Sequence, residues 1–246
     1  MTEKLKYSQD YTVTFSYIDN RGITRPSAIA DFMQDAATVH EKKLSIVTGK
    51  INGFWVLSRL KYRLLRPLTP YETVTVTTWC GAVKGPLWYR DFSFCVNGEN
   101  VGTGTTAWVV LDRATHKIVR PSSIPGYMSF LPESNNPVEL LSKIEPNSTD
   151  YSAYHTVSYS DIDINNHLNN VKVIDIISNA LNLQKYENEF VSELQVNYLA
   201  ESYSEDKLLI NVSEKEKINI YAECEDGGSK RFEAEVIIIG NRSLYQ

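Results

Sequence analysis

Thr14-Phe15-Ser16-Tyr17-Ile18-Asp19 returns as Thr156-Val157-Ser158-Tyr159-Ser160-Asp161, an offset of 142 residues. Each copy leads into apolar residues at helical spacing. The first has Ile29, Phe32, Met33, Ala36 and Ala37, and the second has Val173, Ile176, Ile177, Ala180 and Leu181. Both follow i, i+3, i+4, i+7, i+8, one apolar face of an α-helix. Pro26 suits the first turn of the first helix. The helical residues stand 144 apart, so two residues are expected to have been inserted between motif and helix. Chance could give either match alone. Both in the same order read as an internal duplication.

Strand patterns follow each helix. In the first half, Phe54–Arg66 alternates with Leu60, Tyr62 and Leu64 on one face, and Glu72–Val83 is β-branched. Leu87–Val96 and Val101–Asp112 flank Asn97-Gly98, a strong hairpin signal. In the second half, Val191–Leu199, Lys207–Ser213, Ile218–Glu223 and Arg231–Ile239 take the same parts, with Asp226-Gly227-Gly228 as the last hairpin turn. Residues 121–150 hold five prolines and read as a linker with a short helix near Val138–Lys143. Each half is therefore one strand, one long helix and four strands. A single sheet with one helix buries its apolar face only by curling around that helix. Two such units side by side make an α+β double hotdog. Its expected parts are an N-terminal domain over 1–120, the linker over 121–150 and a C-terminal domain over 151–246.

The chain has 246 residues, enough for two units of about 120. A net charge of −5 argues against nucleic acid as a bulk partner. Cys80, Cys95 and Cys224 are odd in number and widely spaced, which excludes a disulfide framework and a zinc cluster and fits a reducing cytosol. Met1–Ser8 lacks the apolar segment of a signal peptide. No apolar run approaches the roughly 20 residues that span a bilayer, so no membrane insertion is expected. A cytoplasmic, bacterial-type chain is the expectation.

The polar residues concentrate in the second copy. Ser160-Asp161-Ile162-Asp163-Ile164-Asn165-Asn166-His167-Leu168-Asn169-Asn170 packs two Asp, four Asn and one His before the helix. Asp163, Asn165 and His167 are two apart and share one face if the stretch is extended. Helix-start N–H groups nearby can stabilise developing negative charge. Helix capping and turn formation account for Asn169 and Asn170 but leave most of the cluster unexplained. The first copy has Asp19-Asn20-Arg21-Gly22-Ile23 there and no His. Glu201 follows the second-half strand, opposite Pro67 of the first half. Patterning alone would leave it as solvated surface.

At these residues the chain resembles the acyl-acyl-carrier-protein thioesterases of plant plastids and bacteria, over nearly its whole length. Asp161-Ile-Asp163-Ile-Asn165-Asn166-His167-Leu-Asn169-Asn170-Val171 resembles the family's Asp-x-Asn-x-His-Val-Asn-Asn signature. Trp55-Val56-Leu-Ser-Arg59, Val76-Thr-Thr-Trp79, Tyr89-Arg90-Asp91-Phe92, Ala107-Trp108-Val109-Val110-Leu-Asp112, Arg120-Pro121 and Ile124-Pro125 fit its successive segments. The resemblance implies a double hotdog, an acyl-carrier-protein partner, no metal or organic cofactor, and Asp163, Asn165, His167 and Glu201 as catalytic residues. It also allows a homodimer, although one chain already contains the pseudo-dimer. Many plant members carry Cys directly after the catalytic Glu, where this chain has Ser202. A Cys-His-Asn mechanism is therefore unsupported. The implied reaction releases free fatty acid and ends chain elongation. Glu201 and His167 would activate water, and Asn165 with a helix-start N–H would polarise the carbonyl. Asp163 would orient the cluster or itself attack. The rivals are an acyl-coenzyme A thioesterase, a non-catalytic acyl-binding protein and a hotdog dehydratase.

Other residues admit a plainer reading. Arg59, Lys61 and Arg63 share a strand face. They are either solvated surface or a basic patch docking the acidic carrier protein. His40 is read as a helix C-terminal residue, His116 as a surface turn, and His155 as a sheet residue with a satisfied hydrogen bond. Trp55, Trp79, Trp88 and Trp108 are read as core. Ile29, Phe32 and Met33 are read as core, and the family resemblance implies that the first domain holds the acyl chain beside this face.

Overall fold

The computed structural model describes residues 5–46, 51–131, 139–144, 148–215, 217–225 and 228–240. The first half comprises β1 (Lys6–Thr12), α1 (Pro26–Leu44), β2 (Gly53–Leu64), β3 (Thr73–Lys84), β4 (Leu87–Val96), β5 (Glu99–Asp112) and the short β6 (Ile118–Val119). The second comprises β7 (Tyr151–Thr156), α2 (Asn170–Leu181), β8 (Glu189–Tyr198), β9 (Lys207–Glu214), β10 (Ile218–Cys224) and β11 (Lys230–Gly240). Every strand expected from alternation is present, with ends moved by no more than two residues. Asn97 and Gly98 both take positive φ (51° and 83°), as a two-residue hairpin turn requires.

The sheet runs β1-β3-β4-β5-β2-β8-β11-β10-β9-β7, a palindrome about the β2–β8 junction. At that junction Leu60 faces Val196 and Tyr62 faces Leu194 in antiparallel register. The duplicated halves are thus joined by their equivalent central strands. Each half curls around its helix, and the two helices touch each other. Ile29, Phe32, Met33, Ala36, Val173, Ile174, Ile176 and Ile177 lie in one core with Leu60, Tyr62, Leu194 and Val196. Fully burying each large apolar side chain contributes about 1.5–3 kcal/mol, which gives both helices their positions. Gly104 on β5 lets α1 approach, since a Cβ there would lie 2.7 Å from Met33 Cε.

The geometry corrects the alignment of the repeat. Both halves carry a one-turn 3-10 helix, Phe15–Tyr17 and Tyr159–Asp161, entered from Thr14 and Ser158. Isolated bridges Ile18–Thr24 and Ile162–Leu168 close the following loops. All these pairs stand 144 residues apart, so no insertion separates motif from helix. The 142-residue likeness is two residues out of structural frame. The short helix expected within the linker is also corrected. Residues 139–144 form no helix, and Val138 lies outside the described residues. Side chains of the sheet's outer face hold this segment by its backbone. Gln195 and Asn197 bond Leu141, and Glu233 accepts from Ile144 N–H at 2.7 Å. The turn expected at Asp226-Gly227 lies outside the described residues.

Candidate active site

The loop between β7 and α2 is built around one carboxylate. Asp163 Oδ1 accepts the backbone N–H of Asn165 at 2.8 Å and of His167 at 3.3 Å. Its Oδ2 accepts Asn165 Nδ2–H at 3.3 Å. Its own N–H donates to the His167 carbonyl at 2.8 Å. Asn166 takes positive φ (61°), a conformation Asn tolerates better than most residues. The stretch is therefore a tight turn, and Asp163, Asn165 and His167 are gathered by side-chain-to-backbone bonds rather than aligned on an extended face. Asn169 caps α2, accepting Val171 N–H at 2.8 Å. Before the loop, His155 Nε2 lies 3.0 Å from Asp161 Oδ2, the satisfied sheet histidine expected. Burial works against the Asp161 charge, but bonds from Ser158 and His155 outweigh it and hold its pKa below the usual value.

Glu201 comes to this loop from the end of β8. Leu168 N–H donates to the Ser202 carbonyl at 2.8 Å, stitching the two segments together. His167 Nδ1 then faces Glu201 Oε1 at 3.5 Å. Arg231 on β11 grips the exit of β8 from two sides. Its carbonyl accepts Leu199 and Ala200 N–H at 2.9 and 3.1 Å, and its Nη1 donates to the Glu201 carbonyl at 2.8 Å. The guanidinium is braced on Cys224 Sγ through Nε and Nη2 at 3.0 and 2.8 Å. Sequence reasoning missed Arg231 and Tyr203. The latter donates its hydroxyl to Glu201 Oε2 at 2.9 Å. Neither lies in the polar motif, so no local signal marked them.

The first half has the same turn with different side chains. Asp19 accepts Arg21 N–H at 2.8 Å and Ile23 N–H at 3.4 Å, as Asp163 does for Asn165 and His167. Ile23 is buried where His167 stands, Pro67 occupies the place of Glu201, and Arg21 replaces Asn165. Arg21 pairs with Asp19 at 2.6 Å and donates to the carbonyls of Tyr186 and Glu189. The equivalent loop is thus a latch onto the other half.

Asp163, Asn165, His167, Glu201 and Ser202 line one cavity of about 970 Å³. Phe54, Trp55, Val56, Leu57, Trp88, Trp108, Val173 and Phe232 supply its apolar wall. Trp55, Trp88 and Trp108 pack in a small core cluster, as expected, and also line this space. α1 outlasts α2 by about two turns relative to the repeat, and that extension brings Thr38, Glu41 and Lys42 to the cavity. His40 on the same extension is buried, not a solvated helix end. Its Nδ1 lies 2.8 Å from an Arg90 nitrogen, and its ring stacks on Tyr7. Burial first, then Arg90 and Lys43, lower its pKa to about 4, so it is neutral. His116 is exposed as expected, at the cavity rim against Phe54.

Arg59, Lys61 and Arg63 lie on the outer sheet face, and none lines the cavity. Lys61 pairs with Glu193 at 2.7 Å, and Arg59 reaches the Ser142 carbonyl at 3.4 Å. Only Arg63 of the three is exposed, and Arg59 and Lys61 are half-buried. Among the described residues, no group of three His, Cys, Asp or Glu side chains is placed to hold a metal ion. Among the described residues, no helix is long and apolar enough to cross a membrane.

Fold and site together define a class: double hotdogs in which two halves share one scaffold and one half carries the polar constellation. Within it, the chain belongs to the acyl-ACP thioesterase family, whose N-terminal domain matches residues 4–123 and whose C-terminal domain matches residues 144–236. It is 24% identical over 192 residues to the chloroplastic dodecanoyl-[acyl-carrier-protein] hydrolase of Umbellularia californica, covering 71% of this chain and 50% of that protein. It is 25% identical over 215 residues to the chloroplastic palmitoyl-acyl carrier protein thioesterase of Gossypium hirsutum, covering 80% and 52%. The chain therefore spans about half the length of these relatives. Among solved structures, an acyl-ACP thioesterase from Bacteroides thetaiotaomicron superposes with a TM-score of 0.83 at 24% identity, over 96% of this chain and 99% of that one. The 12:0-ACP thioesterase from Umbellularia californica gives 0.81 at 20% identity, over 96% and 98%. At these identities the superpositions show the double hotdog fold.

Proposed function

We propose that the chain hydrolyses acyl-acyl-carrier protein to free fatty acid and carrier protein, ending elongation. The observation that carries this reading is the convergence of Asp163, Asn165, His167 and Glu201 on one aromatic-lined cavity. Thioester hydrolysis needs an activated water and a stabilised oxyanion, because a thiolate leaves readily. His167 and Glu201 flank the water and take its proton as oxygen attacks the carbonyl carbon. Asn165 spends one Nδ2–H on Asp163, and its other N–H polarises the carbonyl. The carbon–sulfur bond then breaks, and the thiolate regains the proton from His167. Asp163 orients the loop. Both of its oxygens are engaged in hydrogen bonds, which favours that role over direct attack.

The division of labour follows the halves. The domain over 1–120 supplies most of the acyl wall, residues 139–144 of the linker strap the outer face, and the domain over 151–246 carries the reacting groups. Carrier-protein docking through the Arg59, Lys61 and Arg63 face, with Arg63 free to engage, remains part of this reading, as do a cytoplasmic setting and either a monomer or a homodimer.

The test is free-thiol release from acyl-carrier-protein substrates from C8 to C18, with acyl-coenzyme A in parallel, for wild type and His167→Ala. Carrier-dependent turnover that the variant loses is the expected result. Turnover of acyl-coenzyme A alone would reassign the carrier, and tight acyl binding without turnover would make the chain a binding protein.

A further inference from the structure

Tyr203 touches both members of the pair that faces across the cleft. Its hydroxyl donates to Glu201 Oε2 at 2.9 Å, while Glu201 presents Oε1 to His167 Nδ1. Its ring stands edge-on to the His167 imidazole, centroids 5.2 Å apart at 85°. The backbone turn beneath it does not require this ring. Tyr203 N–H donates to Asp206 Oδ2 at 3.0 Å, just as Thr69 N–H donates to Glu72 Oε2 at 2.7 Å in the first half. Thr69 makes that turn without an aromatic side chain, beside Pro67 rather than a glutamate. The ring and hydroxyl are added only in the half where a carboxylate and an imidazole must be aimed at each other.

Glu201 needs such a partner. Its side chain is 54% exposed, so solvent alone would leave its rotamer free. The hydroxyl is a durable donor as well. The hydrogen bond to Glu201 and that residue's charge raise the Tyr203 pKa above the ordinary phenol value.

We propose that Tyr203 is a positioning residue of the site. Its hydroxyl fixes the Glu201 carboxylate, its ring edge fixes the His167 plane, and Oε1 and Nδ1 face each other before substrate arrives. The proposal rests on reading Glu201 and His167 as the water-activating pair.

The experiment is Tyr203→Phe, which keeps the ring and deletes one oxygen. The expected result is a kcat reduced about three- to tenfold with KM unchanged, the loss of one hydrogen bond between half-exposed side chains. In a Glu201→Asp background, whose shorter carboxylate no longer meets the hydroxyl, Tyr203→Phe should cost nothing further. Independently of turnover, the Glu201 carboxyl 13C resonance should move in Tyr203→Phe and stay still in Tyr159→Phe, a control on an exposed tyrosine outside the cavity. An unchanged rate and resonance in Tyr203→Phe, with His167→Ala and Glu201→Gln both inactive, would overturn the proposal and leave the site reading standing. Full activity in His167→Ala and Glu201→Gln would overturn the site reading first, and the proposal with it.

Discussion

Leu168 N–H donates to the Ser202 carbonyl at 2.8 Å, and Thr24 N–H makes the same bond to Leu68 in the first half, at 3.0 Å. The residues following His167 and Glu201 are therefore joined by a backbone bond that the duplication supplies twice. The two copies of the junction differ in the side chains they carry: His167 and Glu201 in one, Ile23 and Pro67 in the other. Removing the His167 and Glu201 side chains should leave the junction intact.

His167→Ala and Glu201→Gln should each lower kcat by about 10²–10⁴, the range for losing a general base. Asn165→Ala should cost about 10²–10³, the range for an oxyanion donor. All three should keep wild-type stability to within about 0.5 kcal/mol, since their side chains are exposed or half-exposed. Steady-state kinetics beside urea titrations measure both. A variant that unfolds early would mean these residues hold the loop.

Asp163 separates two mechanisms. If it only orients, Asp163→Asn keeps an oxygen to accept the Asn165 and His167 N–H groups and retains substantial activity, while Asp163→Ala opens the turn and loses far more. If its carboxylate attacks the thioester, both variants are inactive. The ratio of the two rates, read in single-turnover assays, decides between them.

Ser202 contributes through its backbone. Its Oγ is buried with no hydrogen-bond partner among the described residues, and its carbonyl takes the Leu168 bond. Ser202→Ala should leave kcat/KM within about twofold. It should hold stability or raise it by about 1 kcal/mol, because a buried unsatisfied hydroxyl carries a desolvation cost. A large activity loss would make this hydroxyl a nucleophile.

His40 gives the fold an acid-sensitive point. Its folded pKa of about 4 lies below the ordinary 6.5, so the unfolded chain binds the extra proton between those values. The stability it supports is present above about pH 6.5 and lost as pH falls towards 4, up to about 3 kcal/mol. His40→Gln keeps an acceptor for Arg90 and does not titrate. Between pH 7.5 and 4.5, wild type should lose about 2 kcal/mol more than this variant in urea unfolding. Equal losses would show that Arg90 does not depend on a neutral partner there.

Much of this was legible because periodicity reports burial. Ile29, Met33 and Ala36 had to face a core, and Leu60, Tyr62 and Leu64 had to share a sheet face. The polar loop stood out because Asp and Asn beyond capping needs are costly to gather without use. The repeat frame was misread because Thr-x-Ser-Tyr-x-Asp matches in letters, whereas structural equivalence follows the Ile18–Thr24 and Ile162–Leu168 bridges. Tyr203 and Arg231 were invisible because each acts across a turn or between strands. His40 looked like a helix end because nothing local shows that Arg90, 50 residues away, closes over it.

The outer basic face is the remaining choice. Lys61 is committed to Glu193 and Arg59 to the strap at Ser142, so charge reversal there would disturb the sheet as well as any docking. Arg63 is exposed and can be tested alone. If carrier protein docks on this face, Arg63→Glu should raise KM for acyl-carrier-protein substrates about three- to tenfold at low salt. It should leave KM for acyl-pantetheine unchanged, since the small substrate needs no docking surface. If both KM values are unchanged, the carrier approaches from the cavity side instead. There Lys42 and Arg113 line the opening beside His116, and the same reversal at Arg113 should then give the selective rise.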